Sequence, residues 1–166
     1  MRNGRTGKEF DLPESDQWMR LAVRYLAARD RTRAHVRLYL QRRGAPPDRI
    51  ETIIARLMDL RYLDDRAYAE RWVRRRMADR PMGRERLKFE LDAKGVEASI
   101  AETAIGEAFG KTGEDRLACL ALDLIQRHGR RLTPMQALRL LRQRGFDEET
   151  IGRMMNHRIG NEGSVS

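Results

Sequence analysis

Apolar residues along this chain recur at intervals of three and four, in three successive blocks punctuated by glycine. Trp18, Leu21, Ala22, Tyr25 and Leu26 share one face of a helix beginning near Asp16 and ending around Arg29. Thr32 can cap a second helix by accepting from a backbone N–H. Its apolar positions are Val36, Leu38 and Leu40, and Gly44 supplies the left-handed residue that ends it. Pro46 and Pro47 suit the first turn of a third helix, where a missing N–H costs little, and Ile50, Ile53, Ile54 and Leu57 form its face. No segment alternates with period two, so no strand is expected.

The second block opens with Leu63-Asp64-Asp65, where either aspartate can cap a helix carrying Tyr68, Ala69, Trp72, Val73 and Met77. Pro81-Met82-Gly83 breaks it. Arg84–Lys94 forms the next helix, with Leu87, Phe89 and Leu91 apolar, and Val96–Phe109 contains the third. In the third block Asp115–Arg127 leads into Gly129, Thr133 caps a helix with Pro134 in its first turn, and Leu138, Leu141, Phe146, Ile151, Met154 and Met155 complete the pattern. Trp, Tyr and Met residues fall on these stripes and are expected in cores.

The blocks are repeats. Gly44, Gly95 and Gly145 are separated by 51 and 50 residues. Leu40, Leu91 and Leu141 lie four residues before them, and Arg43, Lys94 and Arg144 one residue before. The apolar pairs Ile53/Ile54, Ala104/Ile105 and Met154/Met155 follow at matching distances. Such a period marks supersecondary units that bury their apolar faces against one another. The expected architecture is all-α, with three tandem three-helix repeats over residues 15–63, 64–112 and 113–156 and flexible tails at 1–14 and 157–166.

Charge adds a direction to this picture. The chain carries 34 Lys+Arg against 25 Asp+Glu, a net of +9, and 30 of the bases are arginine, the side chain suited to bidentate contact with carboxylate or phosphate. Residues 16–63 hold 11 basic and 5 acidic side chains, and residues 115–156 hold 8 and 5. Residues 64–114 are neutral, with 11 of each, but polarised: ten bases face five acids from Arg66 to Lys94, then four glutamates accompany one lysine from Glu97 to Glu114. A field divided in this way favours an anionic partner on one side.

Most catalytic chemistry is excluded. Cys119 is the single cysteine, so neither an internal disulfide nor a multi-cysteine zinc site can form, and a reducing cytoplasm is the expected setting. No apolar run approaches the roughly 18 residues of a membrane span, and Met1–Asp11 lacks the hydrophobic segment of a secretion signal. His35, His128 and His157 are scattered without metal-ligand spacing, and no nucleophile elbow is present. No catalytic residue, metal or cofactor is therefore expected. Gly106–Thr112 superficially resembles a phosphate loop. It has three residues between its glycines where the motif needs four, and helix instead of strand before it, so a flexible joint between repeats is the expectation.

The strongest constellation is basic. Arg71, Arg74 and Arg75 share a helical face, Arg84, Arg86 and Lys88 begin the next helix, and Pro81-Met82-Gly83 folds the two helices toward each other. With Lys94 and the aromatic Tyr68, these are the candidate contacts to a polyanion or an acidic protein groove. Tyr68 is the weaker choice because its ring suits packing between helices.

The order of these features resembles the RecX family of bacterial regulators of the RecA recombinase, over about Trp18 to Asn156. Its most specific passages are Tyr62 to Ala69 (YLDDRAYA) and Gly83 to Val96 (GRERLKFELDAKGV), with Arg144 to Ile151 (RGFDEETI) repeating the second theme. His35 stands where the family often has an acidic residue after its first cap. The resemblance implies an elongated, curved array of three three-helix repeats. It also implies a non-enzymatic activity: binding in the groove of the RecA–single-stranded DNA filament, limiting its growth or promoting its loss, and lowering ATP hydrolysis, strand exchange and repressor co-cleavage. A monomer acting on RecA, with weak salt-sensitive DNA binding as an auxiliary property, is the expectation. The alternative is a direct DNA-binding protein of helix-turn-helix type. It is disfavoured by Glu97, Glu102 and Glu107 on one third helix and Asp147-Glu148-Glu149 at the start of another, since phosphates repel an acidic recognition helix.

Overall fold

The computed structural model of the chain describes residues 17–126 and 132–162. The helices are α1 (Gln17–Ala28), α2 (Arg33–Arg42), α3 (Pro47–Asp59), α4 (Asp65–Asp79), α5 (Arg84–Asp92), α6 (Ala98–Thr112), α7 (Glu114–Gln126), α8 (Pro134–Gln143) and α9 (Glu148–Glu162). No strand occurs among the described residues. The expected tail over 1–14, the start near Asp16 and the stop at Gly129 lie outside them. The helices gather into two compact units, one ending at Leu63 and the other starting at Asp64.

In the first unit α1, α2 and α3 each pack on the other two around Ala22, Val36, Leu40, Ile53 and Leu57. The α2 N-terminus is closed by a box with an unusual member. Thr32 Oγ1 accepts from the His35 backbone N–H at 3.2 Å, and His35 Nδ1 accepts from the Thr32 N–H at 3.1 Å. The imidazole thus does the work of the usual Glu or Gln for the Thr32 N–H, and the box as a whole satisfies two otherwise orphaned donors. His35, to which the sequence pattern assigns no role, is structural.

The second unit has one continuous core running from Tyr68, Val73 and Leu87 through Ile105 and Phe109 to Leu117, Leu141 and Ile151. Asp64 is the α4 cap, accepting from the Ala67 N–H at 2.9 Å, whereas Asp65 is buried in the first turn. Thr133 and Gln136 form a second reciprocal capping box at α8. The glycine spacing is matched by conformation: Gly44, Gly95 and Gly145 all have positive φ, at 85°, 68° and 75°.

Three expectations require correction. The joint expected around Gly106–Thr112 is helix: α6 runs through Gly106 and Gly110, and Gly113, with φ of 75°, makes the turn to α7. Both helical glycines face open space. Burial of Ala101, Ala104, Ile105 and Phe109 on the other faces outweighs their poor helix propensity. The tail expected from His157 is also partly helical, because α9 meets no proline and continues to Glu162. Finally, Leu38 and Phe89 are not core residues. Side chains two apart on a helix point about 200° apart, so Val36/Leu40 and Leu87/Leu91 turn inward and leave Leu38 46% and Phe89 65% exposed.

Within the second unit, α5 starts directly against the turn between α8 and α9. The Gly83 N–H donates to the Arg144 carbonyl at 2.9 Å and the Glu85 N–H to the Gly145 carbonyl at 3.2 Å. The Arg84 N–H donates to Glu114 Oε1 at 3.4 Å. A Cβ on Gly83 would lie 2.0 Å from the Gly145 oxygen, and one on Gly145 would lie 2.4 Å from the Arg86 nitrogen. Arg144 fastens the same junction, its Nη1 donating to the Pro81 and Ala121 carbonyls at 3.4 Å each.

Two stability measurements follow. Gly145→Ala should destabilise the second unit by about 3 kcal/mol, from positive φ plus backbone collision, while Gly44→Ala, open around its Cβ, should cost the first unit about 1 kcal/mol. Urea unfolding read by Trp72 in a Trp18→Phe background and by Trp18 in a Trp72→Phe background separates the two; equal losses would refute the collision. His35→Ala should cost the first unit about 1 kcal/mol and His35→Gln almost nothing, read the same way.

Candidate functional site

Five positions on α4 face inward: Asp65, Tyr68, Ala69, Val73 and, at the edge, Trp72. Their spacing of three and four leaves the opposite side of the helix to Arg71, Arg74 and Arg75, which are all exposed. Arg74 and Arg75 take part in no ion pair among the described residues. Arg74 and Arg75 therefore present guanidinium groups to solvent with their donors available for phosphate or carboxylate.

The other candidate residues are engaged within the fold. Tyr68 is 7% exposed and stacks near Trp72, with ring centroids 6.2 Å apart, so it supports the helix interface. Lys94 lies over the Trp72 ring, its Nζ 4.0 Å from the centroid. Arg84 Nε donates to Glu114 Oε2 at 3.1 Å while its guanidinium covers the Phe109 ring at 4.5 Å. Arg86 Nε donates to Glu90 at 3.2 Å, and Lys88 Nζ lies 3.5 Å from Glu102.

The two basic helices are held together by a residue that charge counting passes over. Arg76 on α4 makes a bidentate contact with Glu90 on α5, at 2.8 Å through Nε and 2.6 Å through Nη2. Glu90, with its side chain only 11% exposed, thus receives Arg76 from one helix and Arg86 from its own. Burial pushes the Glu90 carboxyl up, but the hydrogen bonds and charges of both arginines outweigh it and leave the group below its ordinary value. Glu114 shows the reverse balance: burial dominates over the Arg84 contacts and raises it. Arg144 is pulled below its usual value, first by burial and then by the neighbouring Arg80 charge.

The structure thus separates what the sequence groups together. Arg71, Arg74 and Arg75 form an outward basic face; Arg84, Arg86, Lys88 and Lys94 are internal struts; Tyr68 is core. The sequence carried no distinct signal for the Arg76–Glu90 lock, because Glu90 is one of several acidic residues on these two helices. Among the described residues no three His, Cys, Asp or Glu side chains gather as a metal site, and no helix is long and apolar enough to cross a membrane.

Comparison with known proteins matches both units. The profile for the second three-helix domain of RecX aligns with residues 64–105 and that for the first three-helix domain with residues 19–57. The regulatory protein RecX of Mycolicibacterium smegmatis is 27% identical over 174 residues, spanning 95% of this chain and 93% of that protein. The corresponding protein of Prosthecochloris aestuarii is 32% identical over 143 residues, spanning 84% and 92%. The crystal structure of RecX from Lactobacillus salivarius superposes with a TM-score of 0.72 at 27% identity, covering 84% of this chain and 93% of that one.

Glu90 generates a pH prediction. A carboxyl lowered in the folded state contributes stability that is present above its unfolded value and lost as pH falls through the folded one. Glu90→Gln should therefore be about 2 kcal/mol less stable at neutral pH and show a flatter acid limb. Circular dichroism of urea unfolding across the acid range checks this; parallel curves for the two proteins would refute it.

Proposed function

The chain belongs to the RecX family, and from that premise we propose that it regulates the RecA recombinase without catalysing a reaction, by binding the RecA–single-stranded DNA filament. Binding in the filament groove limits growth or promotes loss of subunits, and so lowers ATP hydrolysis, strand exchange and repressor co-cleavage. It acts in the cytoplasm, as a monomer and without a cofactor, in modulating recombination, DNA repair and the SOS response.

The observation that carries the reading is the outward face of α4. Arg74 and Arg75 are exposed beside one another and in no ion pair among the described residues, while Arg84, Arg86 and Lys88 of α5 pair with carboxylates of the same unit. A basic face on a helical repeat suits a long polyanionic assembly, and contacts shared among repeats raise avidity with no catalytic group. The direct DNA-binding reading is the weaker one. The third helix α6 is exposed at Glu102 and Glu107 and preceded by exposed Glu97, so as a recognition helix it would place carboxylates against the phosphate backbone.

The decisive assay is single-stranded-DNA-dependent ATP hydrolysis by the cognate RecA, with this protein titrated in and single-strand-binding protein present. Inhibition well below one-to-one is expected; an unchanged rate at every ratio, with the fold verified, would reject the reading. Charge reversal at Arg74 and Arg75 should weaken inhibition about tenfold without unfolding the protein. Binding to naked DNA should fade steeply with salt while filament binding persists, and the opposite order would favour the DNA-binding alternative.

A further inference from the structure

Phe89, 65% exposed, does not stand on open surface. Its ring walls a groove between α5 and α6 of about 280 Å³, to which Val96 and Ala101 also contribute. The rim is charged. Glu85 and Asp92 lie near the two ends of α5, and the Lys88–Glu102 pair spans the two helices at 3.5 Å. No ion pair among the described residues engages Glu85 or Asp92. In a chain of net charge +9, this groove sets two carboxylates outside any ion pair beside an exposed aromatic ring, over which the Arg86 guanidinium lies 5.6 Å from the centroid.

The repeats supply an internal comparison. One period earlier Leu38 occupies the position of Phe89 and is 46% exposed, and the Arg37–Glu51 pair, at 2.7 Å, takes the place of Lys88–Glu102. Yet Ala34 and Gln41 stand where the middle repeat has Glu85 and Asp92. One period later the corresponding residues are Arg139, Met135 and Arg142. The apolar point is common to the first two repeats, whereas its acidic rim belongs to the middle one alone. Helix propensity cannot be the reason, since Ala and Gln serve α2 equally well.

An acidic rim repels a nucleic-acid backbone, and an exposed ring in a concave site suits a buried side-chain anchor. Resting on the RecA reading above, we propose that the α5–α6 groove is a protein-recognition site. It takes an apolar side chain flanked by lysine or arginine from a recombinase subunit. The basic face of α4, which is turned away from α6, meets the anionic part of the filament. The middle repeat thereby reads protein and polyanion on separate surfaces.

The test compares affinities of the full-length protein for RecA assembled on labelled single-stranded DNA and for the same DNA naked. The variants are Phe89→Ala and the charge-only pair Glu85→Gln/Asp92→Asn, which keeps the ring. Phe89→Ala should weaken filament binding about tenfold and the charge-only variant about threefold, both leaving naked-DNA affinity within about twofold. Filament affinities equal to wild type, or equal losses on naked DNA, would overturn the groove assignment while leaving the filament reading intact. A wild-type protein that does not bind the filament would overturn both.

Discussion

Three leading N–H groups of α5 point at acceptors supplied by the last repeat: the carbonyls of Arg144 and Gly145 and the carboxylate of Glu114. Helix starts must find partners for these donors, and α5 has no side-chain cap of its own. The approach that makes this possible leaves no room for a Cβ on Gly83 or Gly145. The carbonyl end of one helix turn therefore serves the amide end of another, a favourable alignment of their dipoles as well as a set of hydrogen bonds. That contact adds to the packing of α6 on α7, through which the middle and last repeats share a single core, whereas the first repeat closes its own. It also sets the position of α5, and with it both the Arg76–Glu90 lock and the α5–α6 groove.

Arginine is used here in two physically distinct ways. Arg76, Arg84, Arg86, Arg142 and Arg153 meet carboxylates across or along helices, several of them bidentately. These pairs orient the helices; on the exposed faces they add little stability, since water and salt screen them. Arg74 and Arg75 on the outer α4 face have no ion pair of this kind among the described residues, so net charge overstates the number of arginines left to meet a partner. Sequence counts alone cannot make that distinction, because a strut and a phosphate contact carry the same charge.

The three-helix repeats were legible because glycine spacing, caps and apolar stripes all agree: Thr32, Thr133, Pro47 and Pro134 sit where helix starts need them. The exceptions have definite causes. Leu38 and Phe89 were counted with apolar neighbours two residues away, a spacing that cannot place all three on one helical face. The glycines of α6 suggest a break, but tertiary burial on the other faces decides. His35 lacks the carboxylate of a capping box, yet its Nδ1 supplies an equivalent acceptor. The candidate site was only partly legible, since the partners that occupy Arg84, Arg86, Lys88 and Lys94 lie up to 30 residues away in sequence.

The dependence of α5 on residues 144 and 145 also orders events during synthesis. The first repeat has everything it needs once Leu63 has left the ribosome. The middle repeat emerges with the start of α5 unserved, and it stays so until residues 144 and 145 have been made. Over that interval the nascent protein holds one unit with all its contacts and a second whose α5 donors still lack the acceptors of residues 144 and 145.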